Sequence, residues 1–317
     1  MNRGKYGRAA SLAAALAAAM ALAGCFGGGG SGAPSTTAGT LADPYVVPDR
    51  ANSDTTGGIE DYFAQGGVWS IGFARTGFST GAGAFLFDRG NLYYDTAAGD
   101  WILPTGSADY RMTADGGGRY VSSGCANAGD CITLYVHDAD PIASQYGTFA
   151  LAKADNGTGE TAFMAGYGGL RTNGSLVPTR GTATYSGDFE GYGNQGASVY
   201  ELTGAVDVSV DFAGAALTMD AAGAIAGHPG GADAFTITAT APITTSTYST
   251  NSFYGTGVSG SITSSGTALA SYSGSFWGAF FGPDASEAVG MVAIRDTSGS
   301  GDFITGGFWT QQTSYTP

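Results

Sequence analysis

The sequence predicts an all-β protein: a C-terminal eight-stranded antiparallel β-barrel preceded by a smaller, β-rich, handle-like domain. Three observations carry this. Gly occurs 55 times in 317 residues while charged residues make up only 12%, a composition rich in turn formers and poor in helix formers. Apolar residues alternate with polar ones. Val206, Val208, Val210 and Phe212 interleave with Ala205, Asp207, Ser209 and Asp211, and Phe235, Ile237 and Ala239 with Thr236, Thr238 and Thr240. Period-two patterning puts one set on a packed face and the other in water. Finally, eight such segments begin near residues 181, 199, 214, 233, 252, 267, 287 and 303. Eight antiparallel strands in so short a stretch suit a closed barrel, which leaves no exposed edge, with a two-sheet sandwich as the competing architecture.

Taken in order, residues 1–24 read as a lipoprotein signal peptide. Arg3, Lys5 and Arg8 form a basic start, and an Ala/Leu/Met run follows from Ala9 to Ala23. That run is too short and too weakly apolar for a spanning helix of roughly 20 residues. It ends in Leu22-Ala23-Gly24-Cys25, a bacterial lipobox, so cleavage before Cys25 and acylation of its thiol are expected. Residues 25–60 carry no periodicity. Gly27 to Gly30 and Gly32 make their first part a flexible tether that holds a folded body away from a membrane.

Residues 61–175 form the handle-like domain. Short β-type runs stand at Val68 to Phe73, Ala84 to Tyr94, Arg119 to Ser122, Ile132 to His137 and Gly147 to Leu151. A break with Asn173-Gly174 and Pro178 leads into the barrel, residues 176–317. A membrane-spanning barrel is disfavoured, because the strands lack aromatic girdles and a continuous apolar band.

Cys25 is claimed by lipid, which leaves Cys125 and Cys131 as an even pair outside the cytoplasm, where disulfides persist. The five residues between them can fold back as a hairpin tip, so a Cys125–Cys131 disulfide is expected. Their spacing does not suit a zinc site. Cleavage removes three of the 12 Lys+Arg and none of the 26 Asp+Glu, leaving a formal charge of −17. Such acidity excludes nucleic acid as a partner, since binding it needs a basic surface.

Four segments occur in order in the barrel region: Gly181-Thr-Ala-Thr-Tyr-Ser-Gly187, Val208-Ser-Val-Asp-Phe212, Gly274 to Gly290 and Gly306-Gly-Phe-Trp-Thr310. Together they resemble the β-barrel domain of transferrin-binding protein B and related surface lipoproteins. The third is the most specific: Phe280-Phe281-Gly282-Pro283 followed by Ala285, Glu287 and Gly290 is similar to the family's Phe-Tyr-Gly-Pro strand end, with Phe281 in place of Tyr. Tyr167-Gly-Gly-Leu-Arg-Thr172, upstream, resembles the family's approach to its barrel. The resemblance covers about half of the mature chain. It implies a lipid-anchored outer-membrane protein, displayed on the cell surface with the periplasmic face as the alternative, whose loops capture a protein or a carried nutrient. A TonB-dependent receptor is a further candidate partner, and finding its gene beside this one would support uptake.

Physics gives the motif a structural role first. Gly282-Pro283 should end a strand, because Gly takes positive φ and Pro cannot continue the ladder. The acidic residue after the turn is expected to satisfy loop N–H groups. Phe276, Phe280 and Phe308 are expected in the core.

No catalytic constellation, phosphate loop or metal pair stands out, so no enzyme activity, cofactor or metal is expected. His137, beside Asp138 and Asp140, reads as a solvated loop residue. Candidate binding residues sit on three expected loops. These are 187–198 with Tyr192, 223–233 with His228, and 241–254 with Tyr248, Phe253 and Tyr254, whose Tyr, Ser, Thr, Asn and Gly content suits adaptable contacts. A small-molecule carrier with its ligand inside the barrel, and a structural or adhesive coat protein, are the competing functions.

Overall fold

Eight strands close into the expected barrel in a computed structural model that describes residues 68–72, 74–79, 91–95, 98–104, 109–122, 131–137, 146–155, 161–169, 171–172, 174–244 and 251–317. The leader, the tether, Cys25, Cys125 and Tyr248 lie outside the described residues. All described residues belong to one compact unit, Tyr45–Pro317.

The first half forms a nine-stranded sheet from β1 (Val68–Gly72), β2 (Ala74–Ser79), β3 (Asn91–Asp95), β4 (Asp100–Pro104), β5 (Asp109–Gly116), β6 (Arg119–Ser122), β7 (Cys131–Val136), β8 (Gly147–Asp155) and β9 (Thr161–Gly169). Its order is β1-β3-β4-β5-β6-β7-β8-β9-β2. β1 and β2 follow each other with one residue between them, yet they form opposite edges: β1 pairs with β3 and β2 with β9, both antiparallel. One stretch of chain therefore brings both edges together, and the sheet curls. Its concave core is built from alternate residues, among them Trp101, Met112, Ile132, Leu134, Val136, Ala152 and Met164.

The barrel runs β10 (Thr182–Gln195), β11 (Ser198–Asp211), β12 (Ala216–Ala226), β13 (Ala234–Thr244), β14 (Ser252–Ser264), β15 (Thr267–Phe281), β16 (Glu287–Asp296) and β17 (Phe303–Thr316). All neighbours are antiparallel, and β10 pairs with β17 to close the ring. On β11 and β12 the alternation holds residue by residue: Val206, Val208, Val210, Leu217 and Met219 are buried, and Asp207, Ser209, Thr218 and Asp220 are exposed. The interior is filled by aromatic rings. Tyr185, Phe189, Tyr200, Phe235, Phe253, Phe276, Phe280 and Phe308 are all 2% exposed or less, with Phe189–Phe235 and Phe253–Phe280 centroids 5.3 and 5.5 Å apart. Burying each such ring contributes roughly 1.5–3 kcal/mol. The expectation for Phe276, Phe280 and Phe308 holds.

One wall of the barrel is buried on both faces. Ala279, Phe281, Val289, Met291 and Phe303 point outward and pack beneath Phe149, Leu151, Phe163, Ala165 and Tyr167 of the nine-stranded sheet. β8 and β9 thus serve two cores at once, with successive residues facing opposite ways. The Gly282-Pro283 expectation also holds: Gly282 has φ 73° and Pro283–Ala285 form a single 3-10 turn between β15 and β16.

Candidate binding site

Because the strands alternate in direction, the barrel connections fall on two ends, and the expected binding loops divide between them. The end holding the β10–β11, β12–β13, β14–β15 and β16–β17 connections is tied together by side-chain carboxylate and amide oxygens. Asp302 Oδ1 accepts from the Gly196 N–H at 2.8 Å, and Asn194 accepts from the Phe303 N–H at 2.8 Å. Asp233 accepts from the Ser265 N–H at 3.1 Å. Asp296 accepts from the Ser298 and Ser300 hydroxyls, which hold its carboxyl below the usual range.

Inside this acidic rim lies His228, 9% exposed, its ring 4.7 Å from that of Tyr200. His228 Nδ1 accepts from the Gly230 and Ala232 N–H groups at 3.0 and 3.3 Å, which places the ring proton on Nε2. Burial lowers its pKa against the pull of Asp302. Tyr200 and Tyr272 meet hydroxyl to hydroxyl at 3.2 Å, and burial raises both phenols. His228 is therefore a neutral part of the plug beneath the loops, with its ring turned away from solvent.

At the opposite end the chain from the nine-stranded sheet enters across the barrel mouth. The Thr172 N–H donates to the Phe280 carbonyl at 3.0 Å and its hydroxyl to the Gly282 carbonyl at 2.7 Å. Asn251 Nδ2 donates to the Thr172 carbonyl at 2.6 Å, and the Tyr185 hydroxyl to the Ala285 carbonyl at 2.8 Å. Phe253 and Tyr254 open β14 here and face opposite ways. Phe253 is 2% exposed inside the barrel; Tyr254 is 41% exposed outside it, 5.6 Å from the half-buried Trp277 opposite it on β15.

Two loop assignments need correcting. Tyr192 lies within β10, paired with Glu201 and Thr305, and is only 7% exposed. Its outward ring is covered by the nine-stranded sheet, 5.4 Å from Phe163, and burial pushes its phenol up to about 12. Phe253 is likewise a strand residue of the core. Each belongs to packing, leaving Tyr254 as the exposed aromatic among the described candidates. Cys131 occupies the first position of β7.

The seam between sheet and barrel holds the polar group that sequence reasoning placed least well. Glu287, 2% exposed, accepts from the N–H groups of Tyr146 (3.0 Å) and Gly147 (2.8 Å) and from Trp309 Nε1 (3.2 Å). It does satisfy loop N–H groups as expected, but those of β8's start, some 140 positions away. Burial pushes its carboxyl up to about 7 against the opposing pull of these donors. His137, expected in solvent, is buried, stacked on Phe149 at 4.9 Å and packed 5.4 Å from Trp309. At another point of the seam Arg119 of β6 approaches Glu201 of β11 at 3.7 Å. Nearby, half-buried Glu190 is raised to about 7, mainly by burial.

No family model matches the chain, and no curated protein does. Among solved structures it is similar to a double mutant of transferrin-binding protein B from Haemophilus parasuis, at 16% identity over 77% of this chain and 45% of that one, with a TM-score of 0.46. The intact Ap-TbpB, with N and C lobes, gives 14% identity over 68% and 42%, TM-score 0.44. Isotype 1 transferrin-binding protein B from serogroup B Neisseria meningitidis gives 15% over 76% and 43%, TM-score 0.41. The chain spans less than half the length of each.

Proposed function

We propose that this chain is a binding protein of the outer membrane, held by lipid on Cys25 and displayed at the cell surface, where it captures a protein or a carried nutrient. The observation that carries this reading is the barrel interior. It is filled by Tyr185, Phe189, Phe235, Phe253, Phe276, Phe280 and Phe308, so a partner meets the outside of the molecule. That weighs against the small-molecule carrier. Contact falls to the exposed Tyr254 beside half-buried Trp277 and to the connections around Asp233, Asp296 and Asp302, with Tyr248 in the segment before β14 as a further contact. Tyr rings next to small polar residues suit adaptable protein contacts.

In this reading residues 1–24 are removed, 25–60 tether the body, 61–175 act as the handle and 176–317 as the barrel. Cys125 and Cys131 close a disulfide at the start of β7. The protein is not an enzyme. A TonB-dependent receptor is the natural recipient of a captured nutrient. Transferrin, for which the proteins of similar structure are named, is one ligand to try.

The experiment has two arms: protease shaving of intact cells, and capture from host fluid or growth medium by the soluble mature chain. Loss of the protein on shaving, together with a captured component that Tyr254→Ser releases, supports the proposal. A protein untouched by shaving is not surface-displayed. A bait that captures nothing its Tyr254→Ser variant fails to capture has no binding site there.

A further inference from the structure

Glu287 is a buried carboxylate without a cation. Among the described residues the ion pairs join Arg111 with Asp95 and Asp100, and Arg119 with Glu201; none reaches Glu287. Its hydrogen-bond donors are all neutral. β8 presents the Tyr146 and Gly147 amides, β15 presents Phe281, and β17 presents Trp309 and Gln311. The titratable and charged groups on the elements around it are the Tyr146 phenol, the His137 ring packed on Trp309, Asp284 on the exposed side of the 3-10 turn, and Arg171, whose backbone bridges to Phe281 and whose guanidinium lies over the Tyr167 ring. Taking an unpaired carboxylate out of water is costly, and neutral donors offset that only in part.

The contacts divide unequally between the two oxygens. Oε2 takes all three donors, at 2.8, 3.0 and 3.2 Å, whereas Oε1 has only a shared contact with the Tyr146 N–H at 3.1 Å. A neutral carboxyl therefore keeps its three donors on Oε2 as carbonyl oxygen while Oε1 carries the proton. Two of those donors belong to the nine-stranded sheet and the carboxyl belongs to the barrel. We propose that seating the nine-stranded sheet on the barrel takes up a proton at Glu287, so that the seam tightens as pH falls.

The sign follows from linkage. A solvated Glu ionises near 4.5 and the seated one near 7, so the seated state binds more protons between those values. Its advantage is complete below 4.5 and is lost as pH rises through 7. Full linkage over this window amounts to at most about 300-fold in the seating equilibrium. Glu190 shifts the same way for a similar reason, so the test must separate the two.

The test is amide hydrogen exchange of the full chain between pH 5 and 8, corrected for intrinsic rates and read at Tyr146 and Gly147. Protection at these amides should fall with rising pH by ten-fold or more, and the same fall should persist in Glu190→Gln. Glu287→Gln, whose amide oxygen can take the same three donors, should hold high protection with a flat profile. A wild-type profile that is flat or rises with pH overturns the proposal. So does a slope abolished by Glu190→Gln, or one that survives in Glu287→Gln. If Glu287→Gln does not fold, the wild-type and Glu190→Gln profiles decide alone.

Discussion

Substituting Gly147 by Ala probes the seating of the nine-stranded sheet with a single methyl group. Gly147 opens β8 with an ordinary negative-φ or extended backbone, so a side chain there meets no conformational penalty, only neighbours. A Cβ would lie 2.6 Å from Val289 Cγ2 and 2.7 and 2.9 Å from two ring atoms of Phe281. All of these belong to the barrel wall, which is packed on its inner side by the aromatic core and cannot retreat. Relief must come from β8 lifting away, which also stretches the 2.8 Å bond from the Gly147 N–H to Glu287. Overpacking costs about 1–3 kcal/mol and a weakened hydrogen bond to the carboxyl about 1–2 more. The net expectation is a loss of about 2–5 kcal/mol.

Gly257→Ala is the matched control. It lies on the barrel strand β14, where its Cβ would meet only Thr240 Oγ1, at 3.5 Å, and should change stability by no more than about 0.5 kcal/mol. Urea denaturation of both variants beside the parent, with the slope checked for constancy, gives the comparison. A Gly147→Ala variant as stable as Gly257→Ala would refute the packing of β8 on Phe281 and Val289.

Three other outcomes are expected. Phe280→Ala, at the centre of the ring cluster with Tyr185, Phe212 and Phe253, should cost about 3–5 kcal/mol by thermal denaturation; a loss below 1 kcal/mol would mean a loosely filled barrel. Glu190→Gln should stabilise the protein at pH 8 and leave it unchanged at pH 4, because a carboxyl raised to about 7 favours the fold below its unfolded value and loses that contribution as pH rises. Partial exposure of Glu190 keeps the gain small, and a loss at pH 8 in paired melts would reverse the sign argued here. Tyr254→Ser should leave the melting temperature within a degree or two while weakening capture of the partner in a binding assay; equal capture would move the contact elsewhere.

The barrel was legible in the sequence because alternation is a local signal. Strand starts expected near 181, 199, 214 and 233 fall at Thr182, Ser198, Ala216 and Ala234. Where alternation fails, legibility failed with it. β9, Thr161–Gly169, is buried on both faces along almost its whole length and shows no polar side. β5, Asp109–Gly116, carries mostly exposed polar residues around Met112. β4, Asp100–Pro104, was missed as well. Tyr192 shows the same limit from the other direction. Its parity relative to Tyr185 and Phe189 marks it as outward-facing, but nothing local says that another sheet covers that outward face.

The seam was hidden for a related reason. The partners of Glu287 lie on β8, far along the chain, and only the curl of the nine-stranded sheet brings them to the barrel. His137 was read from its acidic neighbours as solvated, while its burial depends on Phe149 and on Trp309 of the last strand. Local chemistry could suggest that an acid after the turn would accept backbone N–H groups. Which ones it accepts is a matter of tertiary structure.

The central claim is that this molecule binds on its outside, around a barrel already filled by its own rings. Native mass spectrometry of the purified chain tests it most directly. The account predicts the mass of the polypeptide with its covalent modifications and nothing held within. A small molecule that co-purifies at one per chain and is lost only on unfolding would contradict it.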